Sequence, residues 1–369
     1  MKHFLFKPSP LLNIVTLCAV LASAGCTART PTLTAQEKQT MNDLTQTMQT
    51  HCIGRFLIDL PKEASIETMQ TLGHSREVVI DMAGSMTLEA FHVRMAKIEA
   101  DYKIKKHHEG WPYFYGSSSP SSDIILFERL ESDTDKREYS RMIEGYKWSN
   151  NKVLQMMTKA TDASDPKYQT EAIAKNFGND APQKKALITD LLERARGRDI
   201  NDIPTEPGLC FDGGFVALKA GKEDEFYATF NFKKMPDVDF RLSIYSGLNG
   251  DTTLLERGAD LNQMVSNNNG KVLHKGPVSI VGAEQVEEWL MAGDMEQGGG
   301  KFMKGHYFKL EGNSKGGSPQ RPNFELVMEN GGTVDEGIPK PTKASLSEAE
   351  ALALWDAVSK TLRLRPGAL

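Results

Sequence analysis

Cysteine usage constrains this chain more than any other feature of it. Of four cysteines, only Cys52 and Cys210 lie in the body of the protein. Cys52 heads the stretch His51-Cys52-Ile53-Gly54-Arg55-Phe56-Leu57-Ile58-Asp59-Leu60-Pro61, in which Phe56, Ile58 and Leu60 alternate with Arg55, Leu57 and Asp59. That is the period of a short strand, and Pro61 stops it because proline has no N–H to give to a sheet ladder. Cys210 lies in Glu206-Pro207-Gly208-Leu209-Cys210-Phe211-Asp212-Gly213-Gly214-Phe215, which leads into Phe215-Val216-Ala217-Leu218. The two segments share a form: cysteine, glycine, apolar strand. Each reads as the opening of a domain, and a disulfide would tie the two openings together.

The N-terminus sets the compartment. Lys2 and Lys7 precede an apolar run from Leu11 to Ala24, too short to span a bilayer, so residues 1–25 read as a secretory signal. Two processing sites overlap. Ala22-Ser23-Ala24 fits ordinary cleavage, whereas Ser23-Ala24-Gly25-Cys26 fits a bacterial lipobox that has serine in place of the usual leucine. Ordinary cleavage leaves Cys26, Cys52 and Cys210, an odd count in an oxidising compartment. Lipidation consumes Cys26 and leaves one pair. The expectation is a lipoprotein anchored at Cys26; the other reading is a soluble periplasmic protein with an idle thiol. Thr27 is not the aspartate that retains bacterial lipoproteins at the inner membrane, so resemblance to sorted lipoproteins favours the outer membrane. Residues 26–40 are polar and Thr-rich and read as a flexible tether.

The roughly 340 mature residues exceed the usual size of one core. Losing residues 1–25 removes two lysines and no acid, taking the formal charge from -5 to -7. An acidic exported protein has no electrostatic reason to hold nucleic acid. Strand periodicity recurs in 123–130, 139–148 and 153–157, with Ser149-Asn150-Asn151 as a hairpin turn. Residues 116–122 read as a loop on composition, and 86–103 has features of both strand and helix. A helix starts at Asp180, with Gln183 completing a capping box, and Leu187, Leu191 and Ala195 on one face. Asn201 to Gly208 is the linker.

The second half repeats the order. Strands are expected at 225–234 and 239–245, joined through Met235-Pro236-Asp237, and at 271–281, 285–291, 305–310 and 323–328. A helix spans Thr252 to Val265, and a final one opens with the capping box Ser345-Leu346-Ser347-Glu348 and buries Leu352, Trp355, Val358 and Leu362. Both halves close on alternating basic residues, Arg194-Ala195-Arg196 and Arg363-Leu364-Arg365. The fold class is therefore α+β: two domains (41–203 and 204–369), each with an antiparallel sheet and packed helices. They are either a divergent duplication or two unrelated units.

The catalytic constellations return little. Gly73-His74-Ser75-Arg76-Glu77 lacks the second glycine of a nucleophile elbow. His107-His108-Glu109 has no metal spacing, since adjacent strand residues face opposite ways. Gly298-Gly299-Gly300-Lys301 is followed by Phe302 where a phosphate loop needs Ser or Thr, and Asp212-Gly213-Gly214 lacks calcium-loop spacing. No catalytic residue, metal or cofactor is expected, and the chain reads as a binding protein.

Three segments recur together in one family: Cys-Ile-Gly-Arg-Phe-Leu-Ile-Asp-Leu-Pro at 52–61, Pro-Thr-Glu-Pro-Gly-Leu-Cys-Phe-Asp-Gly-Gly-Phe at 204–215, and Ala-Leu-Trp-Asp-Ala-Val-Ser-Lys-Thr-Leu-Arg-Leu-Arg-Pro at 353–366. In these, and over nearly the whole mature chain, the protein resembles the two-domain immunity proteins cognate to type VI secretion lipase effectors of the fourth class. The resemblance implies a periplasmic inhibitor that grips a phospholipase with both domains and prevents lid opening or substrate access. Interface residues do not carry over. From the residues themselves, Asp294, Glu296, Lys301, Asp335 and Glu336 offer charge beside Gly-rich backbone as a partner rim. Two other readings stand beside this one: an outer-membrane lipoprotein with a structural or assembly role, and an unrecognised hydrolase.

Overall fold

The computed structural model describes residues 31–73, 77–168, 176, 178–220, 224–297, 300–335 and 337–369. The signal sequence with Cys26, His74-Ser75-Arg76, Gly298-Gly299 and Glu336 lie outside the described residues. The first element corrects the expected tether, because helix α1 runs over Ala35–Thr45. Thr34 accepts from the Glu37 N–H while the Glu37 carboxylate accepts from the Thr34 N–H at 2.7 Å. That capping box was legible in the sequence as Thr-x-x-Glu.

The first half continues as β1 (Met48–Ile53), β2 (Phe56–Pro61), β3 (Ala64–Gly73), β4 (Val78–Ser85), α2 (Leu88–Ile104), β5 (Phe114–Ser121), β6 (Ile124–Arg129), β7 (Ser140–Ser149), β8 (Lys152–Thr161), α3 (Ala181–Arg194) and β9 (Ala195–Gly197). The second is β10 (Gly208–Phe211), β11 (Gly214–Ala217), β12 (Glu225–Phe232), β13 (Met235–Tyr245), α4 (Gly258–Asn267), β14 (Lys271–Val278), β15 (Val286–Glu296), β16 (Phe302–Gly312), β17 (Asn323–Asn330), α5 (Glu348–Ser359) and β18 (Arg363–Leu364).

Several local readings are corrected. The Ser-rich segment from Gly116 is mostly the edge strand β5, and the ambiguous segment is helix α2. Asp180 makes no side-chain cap; its carboxylate instead accepts from the Thr161 N–H at 2.6 Å. The helix ends at Arg194, and Ala195, expected on its face, opens β9. Residues 235–237 belong to β13, the turn lying at 233–234, since Phe232 pairs with Met235. Helix α4 starts only at Gly258, and the final capping box is Ser347 with Glu350, not Ser345 with Glu348. The turn at Asn150-Asn151 holds as read: both residues have positive φ, at 51° and 60°. That twist matches a two-residue hairpin.

The sheets of the two halves are one. A single twelve-stranded antiparallel sheet runs in the order β14-β15-β16-β17-β13-β12-β3-β4-β8-β7-β6-β5. Its midpoint is the pairing of β3 with β12, from Ala64↔Phe232 to Leu72↔Glu225. The antiparallel sheet expected in each domain is present as one half of this continuous sheet. Counted outward from that junction, each half places its first two strands, then its last four in reverse order. Each half also inserts a helix after its second sheet strand and ends on a helix and a short strand. The architecture is therefore a topological repeat, as the similar order of the halves suggested.

The opening and closing pieces are exchanged between the repeats. β9, at the end of the first half, pairs with β11 of the second; β18, at the end of the second, pairs with β2 of the first. The hairpins change sides as well. In hairpin β1–β2, His51 meets Phe230 of β12 edge-on at 5.1 Å, and Phe56 meets Phe324 of β17 at 5.4 Å. Gly54 turns with φ of 55° so close to Phe226 that a Cβ would sit 2.6 Å from the ring. Only glycine fits both demands. In hairpin β10–β11, Gly213 lies in the same way against Met82 of β4.

One core follows from this exchange. On the hairpin face, Ile58, Leu126, Ile188, Leu191, Phe226, Phe240, Phe308, Leu354 and Trp355 form one buried cluster drawn from both halves. On the opposite face, α2 covers a small cluster with Phe91, Met95 and Phe127, and α4 covers another with Val265, Trp289 and Met291.

A disulfide joins Cys52 to Cys210, and Gly54 and Cys210 exchange both backbone hydrogen bonds at 2.8 Å. The bond closes a chain separation of 158 residues. Closing so long a loop restricts the unfolded chain, and we expect the Cys52→Ser/Cys210→Ser protein to lose about 2–4 kcal/mol. Urea unfolding checks this: an unchanged midpoint at unchanged slope would show that the exchanged hairpins hold the halves without it.

Candidate partner-binding face

The face opposite the hairpins is only partly covered. Helix α2 packs on β5 and β6, and α4 on β14 and β15. Between them the strands β4, β3, β12, β13 and β17 present half-buried and exposed side chains across about 20 Å. The register decides what stands there. One row reads Glu225, Leu72, Val79 and Met157 across β12, β3, β4 and β8. The next begins at Tyr227, which is 38% exposed beside Gln70 and Ser243. A third places Asn231, Asp239, Glu329 and Tyr307 side by side.

This floor becomes acidic towards the second half. Glu67, Asp239, Glu311, Glu325 and Glu329 lie around Arg241, Arg257 and Lys309. Arg241 is 3.3 Å from Asp239 and is also paired to Glu329; Lys309 reaches Glu325 at 2.7 Å and Glu311 at 3.0 Å. Burial pushes Asp239 up to about 7 against the pull of Arg241, with Glu329 and Glu67 adding repulsion. Glu311 goes the other way: although burial would raise it, Lys309 and Arg257 hold it below the usual carboxylate range.

Where α4 meets the sheet, a cavity of about 300 Å³ opens between Met264, Val265, Met291, Met295 and Tyr307, with Asp294, Glu296, Glu329 and Thr333 in its wall. Of the rim expected from the sequence, Asp294 and Glu296 are here. Asp294 is bonded to Lys304 at 2.6 Å and to Asn269 at 2.8 Å, which hold its carboxyl below the ordinary range. Lys301 is exposed near the β15–β16 turn, where its carbonyl accepts from the Gln297 N–H, but it does not line the cavity. Asp335 is exposed and also stands outside the lining, so of the four described candidates Asp294 and Glu296 line the cavity.

The methionines and Glu329 were missed. Only the alternation Trp289-Met291-Gly293-Met295 could have signalled them, had β15 been followed past Met291. Among the described residues no group of His, Cys, Asp or Glu is arranged to hold a metal ion. His107 is stacked on Trp111 at 4.4 Å instead.

Two sequence models match the chain in succession: the N-terminal domain of Tle cognate immunity protein 4 over residues 49–198, and its C-terminal domain over residues 202–367. The chain belongs to the Tle cognate immunity protein 4 family. Solved structures share its fold. A chain in a crystal structure of a Tle4-Tli4 complex is similar with a TM-score of 0.66 and 23% identity, over 88% of this chain and 99% of that one. The immunity protein TplEi of the T6SS from Pseudomonas aeruginosa, in its apo form, gives a TM-score of 0.66 and 22% identity, over 88% and 100% of the two chains. TplEi complexed with an "L" peptide gives 0.63 and 22%, over 87% and 99%. A comparison with curated proteins finds no match. For this member of the family, the exchange of hairpins and closing strands makes the two matched regions interdependent in space.

Proposed function

We propose that this protein is a periplasmic inhibitor that binds a type VI secretion lipase effector, with the open face between α2 and α4 as its grip. The observation that carries this is a sheet locked across both halves, one face of which the described residues leave uncovered between two flanking helices. A rigid receptor spends little conformational entropy on binding, and a floor of mixed apolar and charged character suits a protein surface. Bound there, the effector would be held by both halves at once, which blocks opening of its lid or entry of substrate. The inhibitor contributes contacts and no chemistry of its own. The buried Cys52–Cys210 bond fits an oxidising compartment. A lipid on Cys26 would concentrate the inhibitor beside the phospholipid its target attacks.

Adding the purified protein to its cognate lipase is expected to abolish phospholipase activity at one-to-one stoichiometry. Full lipase activity in a several-fold excess of the protein overturns the reading and directs attention to other envelope partners. Fractionation checks the anchor, because Cys26→Ser should move the protein from the membrane to the soluble periplasm.

A further inference from the structure

His51 is a buried titratable group that the partner-binding face leaves unused. It lies on β1 at 3% exposure with its ring edge-on to Phe230 of β12, and neither ring nitrogen has a hydrogen-bond partner among the described residues. A neutral imidazole bears this at modest cost. An imidazolium would bring two N–H donors and a charge into a site that pairs neither. The charged groups around it give no relief. Arg198 donates to the carbonyl of Cys52, the next residue, at 3.1 Å. Asp59 on β2 is held by Arg363 at 3.1 Å. A cavity of about 500 Å³ runs beside the ring, with Met69 of β3 and Met82 of β4 in its wall. In that wall Asp199 is paired to Lys152 at 3.4 Å, and burial pushes the Asp212 carboxyl up, with repulsion from Asp81 adding to it. Burial holds the His51 imidazole down to about 4, with Arg198 repelling the proton and Asp59 attracting it.

We infer that His51 is an acid-sensitive latch on the exchanged hairpin: protonation of its ring lifts β1–β2 off β12 and loosens the interlock between the two repeats. Once the hairpin lifts, the imidazole meets water and titrates at its ordinary value of about 6.5. The open form therefore takes up a proton that the closed form refuses. The closed hairpin is fully favoured above that value, and its advantage fades as pH falls from about 6.5 towards 4. The open fraction should then be about tenfold to thirtyfold higher at about pH 5 than at about pH 7.5. The Cys52–Cys210 bond keeps the lifted hairpin on the molecule, so the step reverses when the proton leaves. All of this holds whatever the open face of the sheet binds.

Reduction of that disulfide reads the opening, because Cys52 and Cys210 are 2% and 0% exposed. The full mature protein is treated with a phosphine reductant at about pH 7.5 and about pH 5, each rate being normalised to that of oxidised glutathione. The normalised rate of the wild type is expected to rise about tenfold to thirtyfold in acid. His51→Phe keeps a ring against Phe230 and cannot charge, so its rate should rise less than about threefold. His51→Gln cannot titrate either, and it carries the test if the phenylalanine variant does not fold. Hydrogen exchange in the central strands β13 and β17, corrected for its intrinsic rate, should stay within about twofold over the same range, as local opening requires. An equal acid rise in the wild type and the variant places the sensitivity in other groups and overturns the latch. No rise in the wild type overturns it as well. Exchange in β13 and β17 that climbs with the rate of reduction would mean global unfolding, which equally sinks it.

Discussion

Produced as separate chains, residues 31–203 and 204–369 are each expected to be insoluble or to lack a cooperative unfolding transition, while the intact protein melts as one unit. The boundary between them lies in a plausible linker, and two domains of ordinary size would normally survive such a cut. This fold does not allow it. Cutting leaves β3 and β12 as unpaired edges in the middle of what was one sheet. Such long open edges invite aggregation. It also takes hairpin β1–β2 away from Phe230 and Phe324, and takes β18 away from β2. The cluster containing Ile58, Phe226, Phe240 and Trp355 would be opened to water, each large side chain losing about 1.5–3 kcal/mol of burial. A few such losses exceed the whole stability of an average domain. Circular dichroism during thermal melts of each half decides the matter. A half that melts cooperatively near the temperature of the intact chain would show that the exchange is decoration on two self-sufficient domains. Restoration of one transition on co-expression would show that the exchange is the fold.

What the sequence made legible was local. The alternation in β2, β6 and β7, the Asn150-Asn151 turn and the apolar face of α5 follow from periods of 2 and 3.6 residues, which survive in any tertiary context. β5 escaped because an edge strand with one face in water has no need of apolar residues, so 116–122 reads as a loop on composition. The exchange escaped for a deeper reason: no periodicity records which strand a short strand pairs with. The basic residues closing each half were nevertheless the right clue, read two positions out of register. Arg363 stands opposite Leu57 as Arg196 stands opposite Phe215, and Leu57 and Phe215 are the partners of the two bonded cysteines. The matching triplets are therefore Arg196-Gly197-Arg198 and Arg363-Leu364-Arg365. At the candidate site, the charges of Asp294 and Glu296 were visible. The methionine floor was not, because it is assembled from α4, β15 and their neighbours only after folding.

That corrected register yields the second large effect. Replacing Arg365 with Met is expected to destabilise the protein by roughly 3–5 kcal/mol at pH 7. Its guanidinium is 1% exposed and donates to the carbonyl oxygens of Pro204, Glu206 and Gly208 at 2.6, 2.9 and 2.8 Å. Its backbone N–H bonds the Arg55 carbonyl at 2.7 Å, as the Arg198 N–H bonds that of Gly213 at 2.9 Å. Arg198 repeats the role in the other repeat, donating to Cys52 and Gly214 carbonyls at 3.1 and 3.0 Å. Burial pushes the Arg365 guanidinium down to about 10, with repulsion from Arg55 adding to it. The charge therefore costs stability, and what it returns is the capture of three carbonyls, of which that of Gly208 also accepts from Arg55 Nη1 at 3.4 Å. Lysine should rescue it only in part, because one ammonium nitrogen would have to replace the two guanidinium nitrogens that divide the Pro204, Glu206 and Gly208 carbonyls between them. Arg363 is the control: it pairs with Asp59 at 3.1 Å but is 32% exposed, so Arg363→Met should cost less than about 1 kcal/mol. Urea unfolding of the three variants separates the two accounts. If Arg365→Met costs no more than Arg363→Met, β18 is held by strand pairing and by the packing of Leu362 alone. If it costs several-fold more, the exchanged strands are held by buried arginines that bond the opening segment of their own repeat, Arg365 at Pro204, Glu206 and Gly208 and Arg198 at Cys52, while the strands that precede them pair with the other repeat.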